Sequence, residues 1–197
     1  MTAIVMITGC RGITSPVEFY TLNAVIETPT TAQVAGADQH LAIGVGPMEI
    51  PKTIDRPQIV TRTSPNRLSV DEFHRWAGSL REDFLRVLAT NLSILLQTNR
   101  VATHPWEEYF RPNYRVILDV QRFDGNPGED VVLNVNWTIT GQDGRNALLV
   151  RKSMITQPVS EKDYETFVAA KSRVIASFSR EIATEINMLH SKAGGNQ

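Results

Sequence analysis

Val131-Val132-Leu133-Asn134-Val135-Asn136-Trp137-Thr138-Ile139 decides how the chain is built. Val131, Leu133, Val135, Trp137 and Ile139 share one face, and Val132, Asn134, Asn136 and Thr138 share the other. That period of two is the mark of a half-buried strand. Upstream, Tyr114, Val116, Leu118 and Val120 alternate in the same way with Arg115, Ile117, Asp119 and Gln121. The two stretches are joined by Asp124-Gly125-Asn126-Pro127-Gly128, a dense turn signal. Downstream, Gly141-Gln142-Asp143-Gly144 turns the chain into a last strand from Ala147 to Met154. Tight turns require antiparallel neighbours, so these strands form a meander. One face must be covered, and the polar face of Asn134, Asn136 and Thr138 is left to water or a partner.

Two helical patterns supply the cover. Ser79-Leu80-Arg81-Glu82 has the spacing of a capping box. After it, Leu80, Phe84, Leu85, Leu88, Leu92, Leu95 and Leu96 recur as one apolar stripe, with Arg81, Asp83, Arg86 and Asn91 off it. The closing helix is capped by Ser160, and its stripe runs from Tyr164 and Phe167 through Val174, Ile175, Phe178, Ile182 and Ile186 to Leu189. Lys171 interrupts that stripe, and its charged end is expected to bend out to water. The fold class is therefore α+β: an antiparallel β-sheet with two long amphipathic helices packed on one face.

The body begins at His40. Leu41, Ile43 and Val45 form a half-buried strand that Gly46-Pro47 bends. Gln58–Arg62 and Arg67–Val70 read as a hairpin around Ser64-Pro65-Asn66, and Asp71–Trp76 bridges to the first helix. Before the body lies an arm, with a strand over Glu18–Leu22 and a proline-marked linker at Thr28–Gln33. The organisation expected is a partial lipoprotein signal over 1–9, a lipidated arm over 10–39, the α+β domain over 40–190 and a disordered tail over 191–197.

The signal rests on Ile7-Thr8-Gly9-Cys10, where small residues precede the only cysteine of the chain. This looks like a lipobox, with lipid added to Cys10 and cleavage after Gly9. Its apolar run is short and no Lys or Arg precedes it, unlike a full secretory signal. The alternative is a short strand with one buried free cysteine.

The rest of the composition excludes more than it assigns. Over 197 residues the net charge is −1, which gives no electrostatic case for nucleic acid or for an anionic membrane surface. A single cysteine cannot form an internal disulfide. His40, His74, His104 and His190 lack metal-ligand spacing, so neither a metal nor a cofactor is expected. Gly44-Val45-Gly46-Pro47 lacks the third glycine and following helix of a phosphate cradle. Glu107 and Glu108 are adjacent and do not make an acid–base pair. No constellation supports catalysis, and a hydrolase is disfavoured for want of a nucleophile–base pair. Arg56, Arg62 and Arg67 gather around the hairpin, and Arg75-Trp76 follows it. These are the candidate partner contacts, set against a solvated hairpin face for the arginines and a core staple for Trp76.

Gly44-Val45-Gly46-Pro47-Met48-Glu49-Ile50-Pro51, Asp55-Arg56-Pro57-Gln58-Ile59-Val60-Thr61-Arg62 and Asp71-Glu72-Phe73-His74-Arg75-Trp76-Ala77 together resemble the PqiC (YmbA-like) family of ABC-transport auxiliary lipoproteins. The resemblance continues at Phe84-Leu85-Arg86-Val87-Leu88, Tyr114-Arg115-Val116, Arg122-Phe123-Asp124-Gly125 and the closing helix. Phe19-Tyr20-Thr21-Leu22 matches the short segment that follows the lipobox cysteine in that family. The resemblance implies a lipoprotein of the outer membrane facing the periplasm, beside a membrane-anchored partner with MCE domains. That assembly moves lipid between membranes and maintains envelope integrity, and the subunit is implied to be non-catalytic and to self-associate, as in a ring. Arg11 after Cys10, in place of an aspartate, fits outer-membrane sorting. The competing class is a periplasmic lipid- or small-ligand-binding module with a pocket between helices and sheet.

Overall fold

The computed structural model describes residues 16–25 and 40–194. Cys10 and the Thr28–Gln33 linker lie outside the described residues. The elements run β1 (Glu18–Tyr20), β2 (Ile43–Glu49), β3 (Gln58–Ser64), β4 (Arg67–Trp76), α1 (Leu80–Leu95), β5 (Val101–Thr103), β6 (Tyr114–Gly125), β7 (Asp130–Thr140), β8 (Ala147–Pro158) and α2 (Tyr164–Gly194). They make a five-stranded sheet, order β5-β2-β6-β7-β8, and a three-stranded one, order β1-β4-β3.

The meander β6-β7-β8 is antiparallel, with Leu118 opposite Trp137 and Trp137 opposite Arg151. The sheets as wholes are mixed, which corrects the expectation of a purely antiparallel sheet. β2 runs parallel to both β5 and β6, and β1 runs parallel to β4. Turn signals announce only antiparallel neighbours, whereas parallel neighbours are joined by long connections. Here β3, β4 and α1 intervene between β2 and β5. β5 itself was not anticipated, and β4 runs on to Trp76 through the stretch assigned to a bridge.

The two helices lie against each other over the large sheet, α1 on β2 and β5, α2 on β7 and β8. Phe84 meets Phe123 edge-on at 5.2 Å, and Trp137 meets Phe178 edge-on at 5.8 Å. All four rings are essentially out of contact with water. At about 25 cal/mol per Å² of apolar surface removed from water, such rings dominate the burial energy.

Ser79 caps α1, its Oγ accepting from the Glu82 amide at 3.3 Å. Ser79→Ala should therefore cost about 1 kcal/mol, read by urea unfolding. α2 is capped one turn later than the sequence pattern places it. Asp163, not Ser160, accepts from the Thr166 amide and hydroxyl, each at 2.7 Å. The helix then continues through Ser191 to Gly194, into the stretch expected to be disordered. Asn91 is fully buried, not off the stripe, because its Nδ2 donates to Ser179 Oγ at 3.2 Å across the α1–α2 contact.

Candidate functional site

The residues singled out as partner contacts differ in exposure and in what they bond. Arg56 and Arg67 are exposed, Arg56 donating from Nε to Gln58 at 3.3 Å. Arg75 is half-buried and bonded to Glu72 through both its backbone oxygen and its carboxylate. Trp76 is 5% exposed and belongs to the core, which removes it from any contact surface.

Arg62 has a structural task. It reaches from β3 to Asp124 on β6, with Nε at 3.0 Å from both carboxylate oxygens and Nη2 at 2.8 Å from one. Arg122 Nε donates to the same carboxylate at 2.6 Å. Burial alone would push the Asp124 carboxyl up, but the hydrogen bonds and charges of Arg62 and Arg122 outweigh it and hold the group below the usual carboxylate range. This cluster ties the small sheet to the large one.

Directly beside it, Lys171 does not turn out to water. It is 1% exposed, and its Nζ donates to the Phe123 carbonyl at 2.7 Å. The ammonium nitrogen lies 4.0 Å from the Phe123 ring centroid, 5.2 Å from that of Phe167 and 5.9 Å from that of Trp76. Burial pushes its pKa down to about 7, against a smaller pull upward from Asp124. The position of a lysine in the middle of an apolar stripe was the signal for this. Snorkelling fails because the stripe is roofed by Trp76 and Phe123.

A second cluster seats the strand of the arm itself. The Asp83 carboxylate accepts from the Leu22 amide at 2.5 Å and the Thr21 hydroxyl at 3.0 Å, while Arg86 donates to the Leu22 carbonyl at 2.7 Å. Leu22 is fully buried. Alongside, His74 stacks on Tyr164 at 3.9 Å, and Asp71 accepts from His74 Nδ1 at 2.8 Å and from the Tyr164 hydroxyl at 3.0 Å. For Asp71 as well, burial acts upward but the hydrogen bonds prevail and keep its carboxyl low. Through these contacts the body holds Glu18–Leu22 against β4 and α1.

The polar face of the meander is where the alternation places it. In β8, the edge strand, Met154 lies opposite Asn134, Lys152 opposite Asn136 and Val150 opposite Thr138. Val150 is 71% and Met154 68% exposed. A long edge strand with apolar side chains in water is a template for pairing with another chain. Among the described residues, no group of three or more His, Cys, Asp or Glu is placed to hold a metal ion.

The model of the ABC-type transport auxiliary lipoprotein component family matches residues 20–183. The chain belongs to this family. Two crystal structures share its fold. One, of an uncharacterised protein, is 20% identical, with a TM-score of 0.71 over 87% of this chain and 99% of that one. The other, a protein from Xanthomonas campestris, is 17% identical, with a TM-score of 0.72 over 91% of this chain and 99% of that one. No curated protein matches. For this family member, the described geometry is a body that grips its own N-terminal segment and presents an open sheet edge.

Proposed function

We propose that the chain is a lipid-anchored, non-catalytic subunit of an envelope transport assembly, held to the periplasmic face of the outer membrane through Cys10. In this reading it works beside an MCE-domain membrane protein in an assembly that moves lipid between the two membranes and maintains envelope integrity. It also self-associates, with a ring as the simplest closed form of a repeated contact. The observation that carries the reading is the family match, which spans nearly the whole body from Tyr20 to Ala183. The seat of Thr21 and Leu22 on Asp83 and Arg86 supports it, since a tether transmits position only if the body holds its near end. The exposed Val150 and Met154 on β8 support the self-association. No helix among the described residues is long and apolar enough to cross a membrane, so a lipid on Cys10 is the attachment put forward. The space between the helices and the large sheet is filled by Phe84, Phe123, Phe167 and Phe178, which weighs against the ligand-binding alternative.

Cys10→Ala expressed with its native leader is expected to leave the outer-membrane fraction and appear in the soluble one. Retention of the variant in the outer membrane rules out anchoring through Cys10.

A further inference from the structure

The paired strands β1 and β4 have one face that is fully used. Tyr20 and His74 lie 5.9 Å apart, and both rings stand beside Tyr164 of α2. Glu18 accepts from the Tyr20 hydroxyl at 2.5 Å, and Trp76 is in the core. Strand alternation turns the residues between these outward: Val17 and Phe19 at β1, Phe73 and Arg75 on β4. Phe19 is 66% exposed and lies beside Arg75 in the register. The same register carried back one residue sets exposed Val17 beside exposed Phe73. Around the free edge of β1, Phe19 and exposed Val25 share a cleft of about 340 Å³ with Val168 and Ala169 of α2. None of Val17, Phe19, Val25 and Phe73 belongs to the core. Grouped apolar side chains left in water mark an interaction surface.

The position of the cysteine says what covers this one. Val17 is seven residues on from Cys10. At no more than about 3.6 Å per residue, that stretch spans at most about 25 Å, whatever path it takes. A lipid on Cys10 therefore keeps this face within reach of the bilayer. A short tether also gives a second contact an effective concentration on the order of millimolar, so a few side chains suffice to hold it. The chemistry suits a membrane interface. Phenylalanine rings enter the boundary between headgroups and acyl chains, and a long cationic side chain keeps its charge among the headgroups. Arg75 stands beside Phe19, though Glu72 partly neutralises it, and exposed Arg56 reaches the same rim through Gln58.

We propose that the outer face of the small sheet lies on the bilayer, with Phe19 and Phe73 entering the headgroup region. The body then contacts the membrane at two points, the lipid and this face, which fixes its orientation. The inference rests on anchoring through Cys10.

The test makes the tether chemically. The full-length chain is coupled through Cys10, its only cysteine, to maleimide-headgroup lipid in phosphatidylcholine vesicles with or without brominated acyl chains. Phe19→Trp places a reporter at an exposed position, and its emission is read over that of the parent chain. The expected result is a blue shift on coupling and loss of the added emission in brominated vesicles. Phe73→Trp should behave in the same way, and Val150→Trp on β8, in the other sheet, should be neither shifted nor quenched. Adding Phe73→Ser to Phe19→Trp should reduce the quenching. An unquenched reporter at both Phe19 and Phe73 overturns the proposal. So does equal quenching at Val150, which means that the body has no preferred face. A blue shift at Phe19 that grows with protein density and is not quenched assigns the face to a second copy of the chain, and also overturns it. None of these outcomes depends on lipidation in the cell, which the fractionation of Cys10→Ala tests separately.

Discussion

Asp124→Asn should lower the stability of the fold by about 3 kcal/mol at pH 7, at the low end for removing one partner of a buried ion cluster. The carboxylate is 3% exposed and serves Arg62 and Arg122 at once. Asparagine keeps the shape but offers no charge, and its amide would point a donor at a guanidinium. The side chains of Arg62 and Arg122 are 25% and 35% exposed, so both regain some water, which keeps the cost from being larger. Lys171 recovers nothing, because Asp124 is the carboxylate that draws its charge. The pH dependence has a definite sign. The folded carboxyl lies below its ordinary value of 3.8, so its contribution is present above that value and is lost as pH falls through the folded pKa. The wild type should therefore lose stability in acid more steeply than Asp124→Asn. Urea unfolding from pH 7 down to about 3 measures both effects. A loss below about 1 kcal/mol at pH 7 would mean that the cluster behaves as surface ion pairs do.

The meander and the helices were legible in the sequence because their causes are local. Trp137 and Leu133 repeat every second residue, Phe84 and Leu88 every fourth, and Ser79 precedes its helix at capping distance. Each pattern is fixed by neighbours a few residues away. The failures share the opposite property. That β2 sits between β5 and β6 depends on where α1 crosses, which no turn residue announces. That Arg62 finds Asp124, 62 residues on, depends on the small sheet docking against β6. Arg62 was therefore grouped with Arg56 and Arg67 by sequence proximity, while the fold separates it by function. Gly44-Val45-Gly46-Pro47 stood out only as a failed phosphate cradle, and that Gly44 lies beside Arg115 depends on the β2–β6 register.

Lys171 separates the two kinds of information most sharply, and its replacement tests the reading of the core. Lys171→Met removes a cation that burial disfavours and keeps a side chain of similar length in contact with Phe123, Phe167 and Trp76. It should stabilise the protein at pH 7 by about 1–4 kcal/mol, the range seen when buried charges give way to packed apolar groups. Two interactions act against the gain: the hydrogen bond to the Phe123 carbonyl and the attraction of the ammonium to the ring 4.0 Å away. The pH profile distinguishes the balance. The folded lysine titrates near 7 and the unfolded one near 10.5, so the unfolded chain binds the extra proton between those values. Stability of the wild type therefore rises with pH across that window, at up to about 1.4 kcal/mol per unit, and this contribution is flat below it. The methionine variant lacks that slope. Its advantage should shrink from pH 7 to pH 9, and near pH 10 the wild type, with its amine neutral and still bonded to Phe123, should draw level. If Lys171→Met is instead less stable at pH 7, and by the same margin at pH 9, then the aromatic cage and the Phe123 carbonyl outweigh the cost of burial. The lysine would then be a pinning cation that holds β6, β4 and α2 together, and Asp124 would be needed only by the two arginines.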